Sequence, residues 1–137
     1  MTIQAQILEL LQSLRERFHL SMILIAHDLG VIAEVADTVA VMYSGKIVEM
    51  APAAELFHNA KHPYTQGLLR SIPRLGSIGA RKGRLEAIDG TVPNLLSLPE
   101  GCSFAPRCMR CTEECTHQEI PLDHVSDSHE VRCIHAS

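Results

Sequence analysis

A chain of 137 residues, 46% hydrophobic, 4% aromatic, without tryptophan and with a formal charge of -4, suits one modest domain with an aliphatic core. Residues 1–99 carry nine basic and nine acidic side chains, whereas residues 100–137 carry three and seven, so the whole acidic excess belongs to the tail. That balance argues against a nucleic-acid module, which needs basic charge to neutralise phosphates. The opening "MTIQAQILELLQ" lacks the basic and continuous apolar regions of a signal peptide, and no run approaches the ~18–20 apolar residues that span a bilayer. A cytoplasmic chain with reduced thiols is the expectation, and clustered cysteines there bind metal more often than they pair.

Thr2 is placed to cap a helix whose apolar residues Ile3, Ile7, Leu10, Leu11, Leu14 and Phe18 form one stripe. "SMILIAH" (21–27) reads as a short strand buried on both faces, and Asp28 as the cap of a following helix "LGVIAEVA". Helix, strand and helix in that order predict an α/β layer. Two β-rich runs flank Ser44-Gly45, so residues 38–50 predict a hairpin. "APAAELFHNAKHPYTQGLLRSIPRL" predicts two short helices, the second starting at Pro63. From Gly76 onward glycine and proline punctuate a loop-rich segment, which places a domain boundary near residue 75. A strand such as 21–27 needs neighbours on both edges, so the first seventy-five residues look like the second half of a larger layer.

His27 ends the apolar run, the edge where ligands meet parallel sheets. By position alone, a histidine between strand and helix is more often structural than functional. The cysteines carry the stronger chemistry. Cys102, Cys108, Cys111 and Cys115 are spaced C-x5-C-x2-C-x3-C, and Cys133 follows after seventeen residues, with no cysteine before position 102. Zinc prefers two tight Cys or Cys/His pairs, and only Cys108-x2-Cys111 is one, although His117, His124, His129 and His135 are available. A redox pair needs a strand before it and a helix after it, which Pro106 and the acidic loop fit poorly. An iron–sulfur cluster takes four thiolates from irregular loops. Spacing alone leaves zinc and iron–sulfur near parity. The small basic patch "RKGR" (81–84), with Arg70 and Arg74, reads as solvated surface.

The stretch "LSMILIAHDLGVIAEVADTVAVMYSGKIVEMAPAAELF" resembles the C-terminal part of an ABC-transporter ATPase subunit. "KHPYTQGLLRSIPRL", "AIDGTVPNLLSLPEGCSFAPRC" and the terminal "HEVRC" narrow the resemblance to the ATP-binding subunits of bacterial and archaeal oligopeptide/dipeptide importers, across essentially all 137 residues. The resemblance implies an α/β fold: residues 1–75 as the C-terminal part of the ABC-type nucleotide-binding domain, residues 76–137 as a Cys-rich extension. It implies that His27 is the switch histidine, contacting the γ-phosphate of Mg-ATP in the intact protein. It also implies a [4Fe-4S] centre on Cys102, Cys108, Cys115 and Cys133, with zinc the alternative and Cys111 a bystander. The implied partners are transmembrane permease subunits and a second ATPase subunit. The implied location is the cytoplasmic side of the inner membrane, with no span of its own.

One departure stands out. No G-x-x-x-x-G-K-[ST] occurs in the 137 residues, and Gly45-Lys46 follows Ala40 rather than a glycine. The signature motif, the acidic metal-binding strand and the catalytic glutamate of the resembled family are also missing. The expected reading is a fragment of a peptide-transporting ATPase, inactive by itself. The alternative is a stand-alone Cys-rich metal-binding or interaction module without catalysis. The purified chain is therefore expected to hydrolyse no ATP and to bind Mg-ATP only weakly and nonspecifically. The P-loop lysine and its backbone N–H groups supply most phosphate binding in such enzymes. Micromolar affinity in a calorimetric titration would contradict the fragment reading.

Overall fold

The structure, a computed structural model, describes residues 2–72 and 87–136. Met1–Asp37 form one compact unit and Thr38–Ser137 another. The boundary expected near residue 75 and the 81–84 basic patch lie outside the described residues. The described elements combine helices with one antiparallel sheet.

In the first unit, α1 spans Ile3–Phe18 and begins, as its sequence predicts, at Thr2, whose hydroxyl accepts the Ala5 N–H at 3.3 Å. It ends at His19, in the left-handed region with φ 51°. Arg15 pairs with Asp37 at 3.0 Å, an exposed ion pair worth at most about 1 kcal/mol. Helix α2, Leu29–Val35, is capped by Asp28, which accepts from the N–H groups of Gly30 (2.8 Å) and Val31 (3.4 Å). The strand expected over 21–27 is not formed. That stretch belongs to no element, and Ile23 and Ile25 are 93% and 94% exposed. A strand exists only through its pairing, and no strand among the described residues pairs with this one. The same absence leaves α1 with no buried residue and its stripe open to solvent.

The second unit is built on the predicted hairpin. Strands β1 (Thr38–Tyr43) and β2 (Lys46–Pro52) are joined by Ser44 and Gly45, both at positive φ (48° and 78°), the geometry that matches the strand twist. Alternation along β1 buries Val39, Val41 and Tyr43. Helix α3 (Ala53–Asn59) seats Leu56 fully buried, and α4 (Pro63–Arg70) starts with proline at its first turn as expected.

The acidic tail does not stand apart from this hairpin. It continues through a short 3-10 turn, Ala105–Arg107, the four-residue α5 (Glu114–His117), β3 (Asp123–Ser126) and β4 (His129–Val131). Strand β4 pairs antiparallel with β2, Glu49 opposite Val131 and Met50 opposite Glu130, giving the sheet order β1-β2-β4-β3. The loops are held by carbonyl-seeking arginines. Arg107 donates to the carbonyls of Ile88 (2.7 Å) and Asp89 (2.8 Å), and Arg132 to those of Ile47 (2.9 Å) and Ile120 (2.8 Å).

At the start of the cysteine segment two backbones touch. The Cys102 N–H donates to the Cys115 carbonyl at 2.7 Å, and a Cβ on Gly101 would collide with that same carbonyl oxygen. Gly101→Ala is expected to lower the stability of this unit by about 2 kcal/mol or more, because the backbone has to move to clear the methyl. Urea denaturation followed by tyrosine fluorescence measures it; an unchanged midpoint would show that the close approach is dispensable.

Candidate functional site: the cysteine segment and its buried support

His27 lies exposed one residue before the Asp28 cap and makes no hydrogen bond among the described residues. It belongs to the first unit and the cysteines to the second.

The cysteines gather by way of three turns. Ala105 N–H donates to the Cys102 carbonyl (3.0 Å), Cys108 N–H to the Ala105 carbonyl (3.1 Å) and Cys111 N–H to the Cys108 carbonyl (3.3 Å). Cys133 arrives from the other direction, two residues after β4. All five are free thiols. Burial holds the Cys102, Cys108 and Cys133 thiols above the ordinary thiol range, and neighbouring thiols add to it. At Cys133 the thiols whose repulsion registers are Cys102, Cys108 and Cys115. Cys111 is exposed and donates to the Thr112 carbonyl at 3.5 Å, and its thiol acts on Cys102 as that of Cys115 does.

One of these sulfurs, that of Cys108, accepts a backbone N–H in hydrogen-bond geometry, from Arg110. Phe104 and Ala105 favour the anion at Cys102, Arg110 does so at Cys108 (3.4 Å) and His135 at Cys133. Such donors suit thiolates more than thiols. Among the described residues, no three His, Cys, Asp or Glu side chains converge as a group that could hold a metal ion. The thiols are neighbours with donors in place, without the convergence of a finished metal centre.

A second constellation carries no obvious motif. Glu49, on β2, is fully buried. Its Oε1 accepts the Lys61 N–H (2.6 Å) and faces His129 Nε2 (2.8 Å), while Oε2 accepts the His62 N–H (3.0 Å). An ionised carboxylate only accepts, so His129 carries its proton on Nε2. His129 Nδ1 faces Glu55 at 3.5 Å, ion-pair range without hydrogen-bond geometry. His62 Nδ1 accepts the Tyr64 N–H (3.1 Å) and caps α4, which leaves its buried Nε2 without a partner. The Tyr64 ring lies 4.7 Å from Tyr43 and 5.4 Å from Phe104. The only sequence signal for this cluster is an acid within the apolar run "IVEMA"; its histidine partner is 80 residues away.

Comparison with known proteins reaches both constellations. A family model described as "Oligopeptide/dipeptide transporter, C-terminal region" matches residues 48–115, which include Glu49, His62 and four of the cysteines. A putative peptide import ATP-binding protein of Brucella ovis is 51% identical over 136 residues, 97% of this chain and 40% of that protein. The dipeptide transport ATP-binding protein DppD of Bacillus subtilis is 50% identical over 132 residues, 96% of this chain and 38% of its own length. The oligopeptide transport ATP-binding protein AppD of the same organism is 50% identical over 133 residues, 96% and 39%. The chain belongs to this peptide-transporter ATP-binding family. It spans about two fifths of the length of these relatives. In this member the His-Pro-Tyr stretch is a packing device: His62 caps, Pro63 opens the helix and Tyr64 stacks.

His62 gives this device a pH dependence. Burial pushes its imidazole down to about 4 from 6.5, against the opposing pull of Glu49. The unfolded chain therefore binds more protons between those values. Stability is fully present above pH 6.5 and falls as the pH drops through the window, by roughly 3 kcal/mol at its lower end. His62→Asn keeps an acceptor for the Tyr64 N–H but cannot titrate. The fall in unfolding free energy from pH 7 to pH 5 is expected to be about 2 kcal/mol smaller in this variant. Equal falls in variant and parent, measured by denaturant titration, would refute the assignment.

Proposed function

We propose that this chain is the C-terminal part of the ATPase subunit that powers oligopeptide or dipeptide import by an ABC transporter. The observation that carries the reading is the 51% identity across 97% of the chain to a putative peptide import ATP-binding protein. Similarity of that extent includes residues well before the first cysteine, which a stand-alone Cys-rich module would not account for.

In this reading Mg-ATP is held by the nucleotide-binding motifs of the intact subunit. His27 meets the γ-phosphate, donating a hydrogen bond and helping to orient the attacking water. Its exposure beside the α2 cap leaves the ring available for that contact. The partners are transmembrane permease subunits and a second ATPase subunit, with the protein peripheral to the cytoplasmic face of the membrane. No helix among the described residues is long and apolar enough to cross a membrane.

The tail then carries a [4Fe-4S] cluster on Cys102, Cys108, Cys115 and Cys133, with zinc as the alternative metal and Cys111 outside the set. What supports this is the cysteine pattern shared with the resembled subunits; the four side chains do not by themselves converge as a group that could hold a metal ion. A bound cluster would supply a cross-link between the 102–115 loop and the end of β4 in a tail short of apolar residues. The protein's own residues supply the rest. Gly101 lets the Cys102 and Cys115 backbones meet, and β4 delivers Cys133.

The reading is tested by grafting. This chain should replace the C-terminal two fifths of a dipeptide transport ATP-binding protein in its complete transporter and sustain dipeptide uptake and ATP hydrolysis. His27→Ala in the chimera should lower ATP turnover about 10²–10³-fold with assembly intact. An assembled chimera that does not transport, or one indifferent to His27→Ala, would overturn it.

A further inference from the structure

The second unit holds a small cavity of about 10 Å³ that no role described above uses. That is room for one water-sized particle, and it excludes a phosphate or any larger group. Lys46, which opens β2, and Arg132, which follows β4, both line it. The same two segments hold these cations side by side. Arg132 donates to the Ile47 and Ile120 carbonyls, and Lys46 Nζ lies 3.5 Å from Oε1 of the largely exposed Glu119. Ser103, only 7% exposed, also lines the cavity, and its buried hydroxyl has no hydrogen-bond partner among the described residues. The Tyr43 hydroxyl accepts from Arg107 at 3.3 Å, which leaves its own proton to be donated.

We propose that this cavity, between Lys46, Arg132 and the unpartnered Ser103 hydroxyl, is a binding site for a small monatomic anion, chloride. Hydrogen-bonding capacity and charge select the ligand. Two cations and two hydroxyls face the cavity, and no Asp or Glu is among its lining residues. A water brings two protons that need acceptors, whereas an anion only accepts. The guanidinium of Arg132 spends two of its five N–H groups on the carbonyls and keeps others to donate. Glu119 offsets one of the two positive charges from outside the lining, so a single negative charge balances the other. Val48 and Ile120 supply apolar wall, which makes the attraction stronger than at an open surface. A bound chloride joins the start of β2, the head of the cysteine segment and the end of β4, and gives the Ser103 hydroxyl an acceptor. The site is independent of the transport reading and of any metal.

The test uses chloride itself, read by the line width of its NMR resonance in a gluconate buffer. The full chain is expected to broaden that resonance. Bromide, also monatomic, should remove the excess width, and sulfate at equal ionic strength should leave it, being too large for the cavity. Ser103→Ala should weaken the apparent chloride affinity about tenfold, and Lys46→Met at least as much. Lys46→Arg, which keeps the charge, should retain most of it. Circular dichroism checks that each variant folds. Lys46 is partly exposed, so its two variants keep the test open should Ser103→Ala fail to fold. No broadening by the wild-type chain overturns the site and leaves water as its occupant. Broadening that sulfate removes as readily as bromide, or that survives undiminished in either folded loss variant, also overturns it, because the anion then sits elsewhere on the surface.

Discussion

The second unit depends on one buried carboxylate. Glu49 is fully enclosed, and its two oxygens take hydrogen bonds from the Lys61 and His62 backbones and from the His129 ring. Burying a lone charge is costly, and only a full set of donors offsets it. Here those donors come from the link before α4 and from β4, so the carboxylate joins segments from three places in the sequence. Removing it would leave two backbone N–H groups and a ring N–H buried without acceptors, which is why the cluster acts as a joint rather than a reactive centre. What hangs on the joint is the candidate site. His129 opens β4, and four residues later the same segment presents Cys133 to the loop that carries the other cysteines.

The cysteine segment itself is assembled with little apolar burial. Phe104, Ala105, Cys115 and Ile120 are its buried hydrophobic residues, while Leu95, Leu96 and Met109 stay exposed. Arginine side chains take the place of a core, donating to carbonyls that turns leave open. The Arg107 guanidinium also lies 6.0 Å over the Tyr43 ring, joining the loop to the aromatic group formed by Tyr43, Tyr64 and Phe104. A segment built this way gains order mainly from hydrogen bonds. It is the kind of architecture to which a metal cross-link adds most.

The first unit shows the contrast between local and pairing structure. α1 needs only its cap, its helix-favouring composition and its left-handed end, all of which lie within nineteen consecutive residues. The apolar stretch 21–27 needs hydrogen-bonding partners on both sides. Helical hydrogen bonds close within one segment, whereas strand hydrogen bonds close between segments. The same apolar content therefore yields a helix in one place and a run outside any element, with Ile23 and Ile25 exposed, in the next.

The sequence by itself determined every feature whose cause is local. Thr2 and Asp28 cap helices, Ser44-Gly45 turns a hairpin and Pro63 opens a helix, because each acts on a backbone within a few residues. The family was legible for the same reason, being written in contiguous stretches such as "KHPYTQGLLRSIPRL". The tertiary structure alone decided what joins distant residues. It left 21–27 without a strand partner among the described residues, set β4 against β2, and closed Glu49 on a histidine 80 positions away. It also brought Thr112 and His135 to the side of a cysteine that spacing could only count. Those pairings depend on where the chain returns in space, and no periodicity or spacing along the sequence encodes that distance.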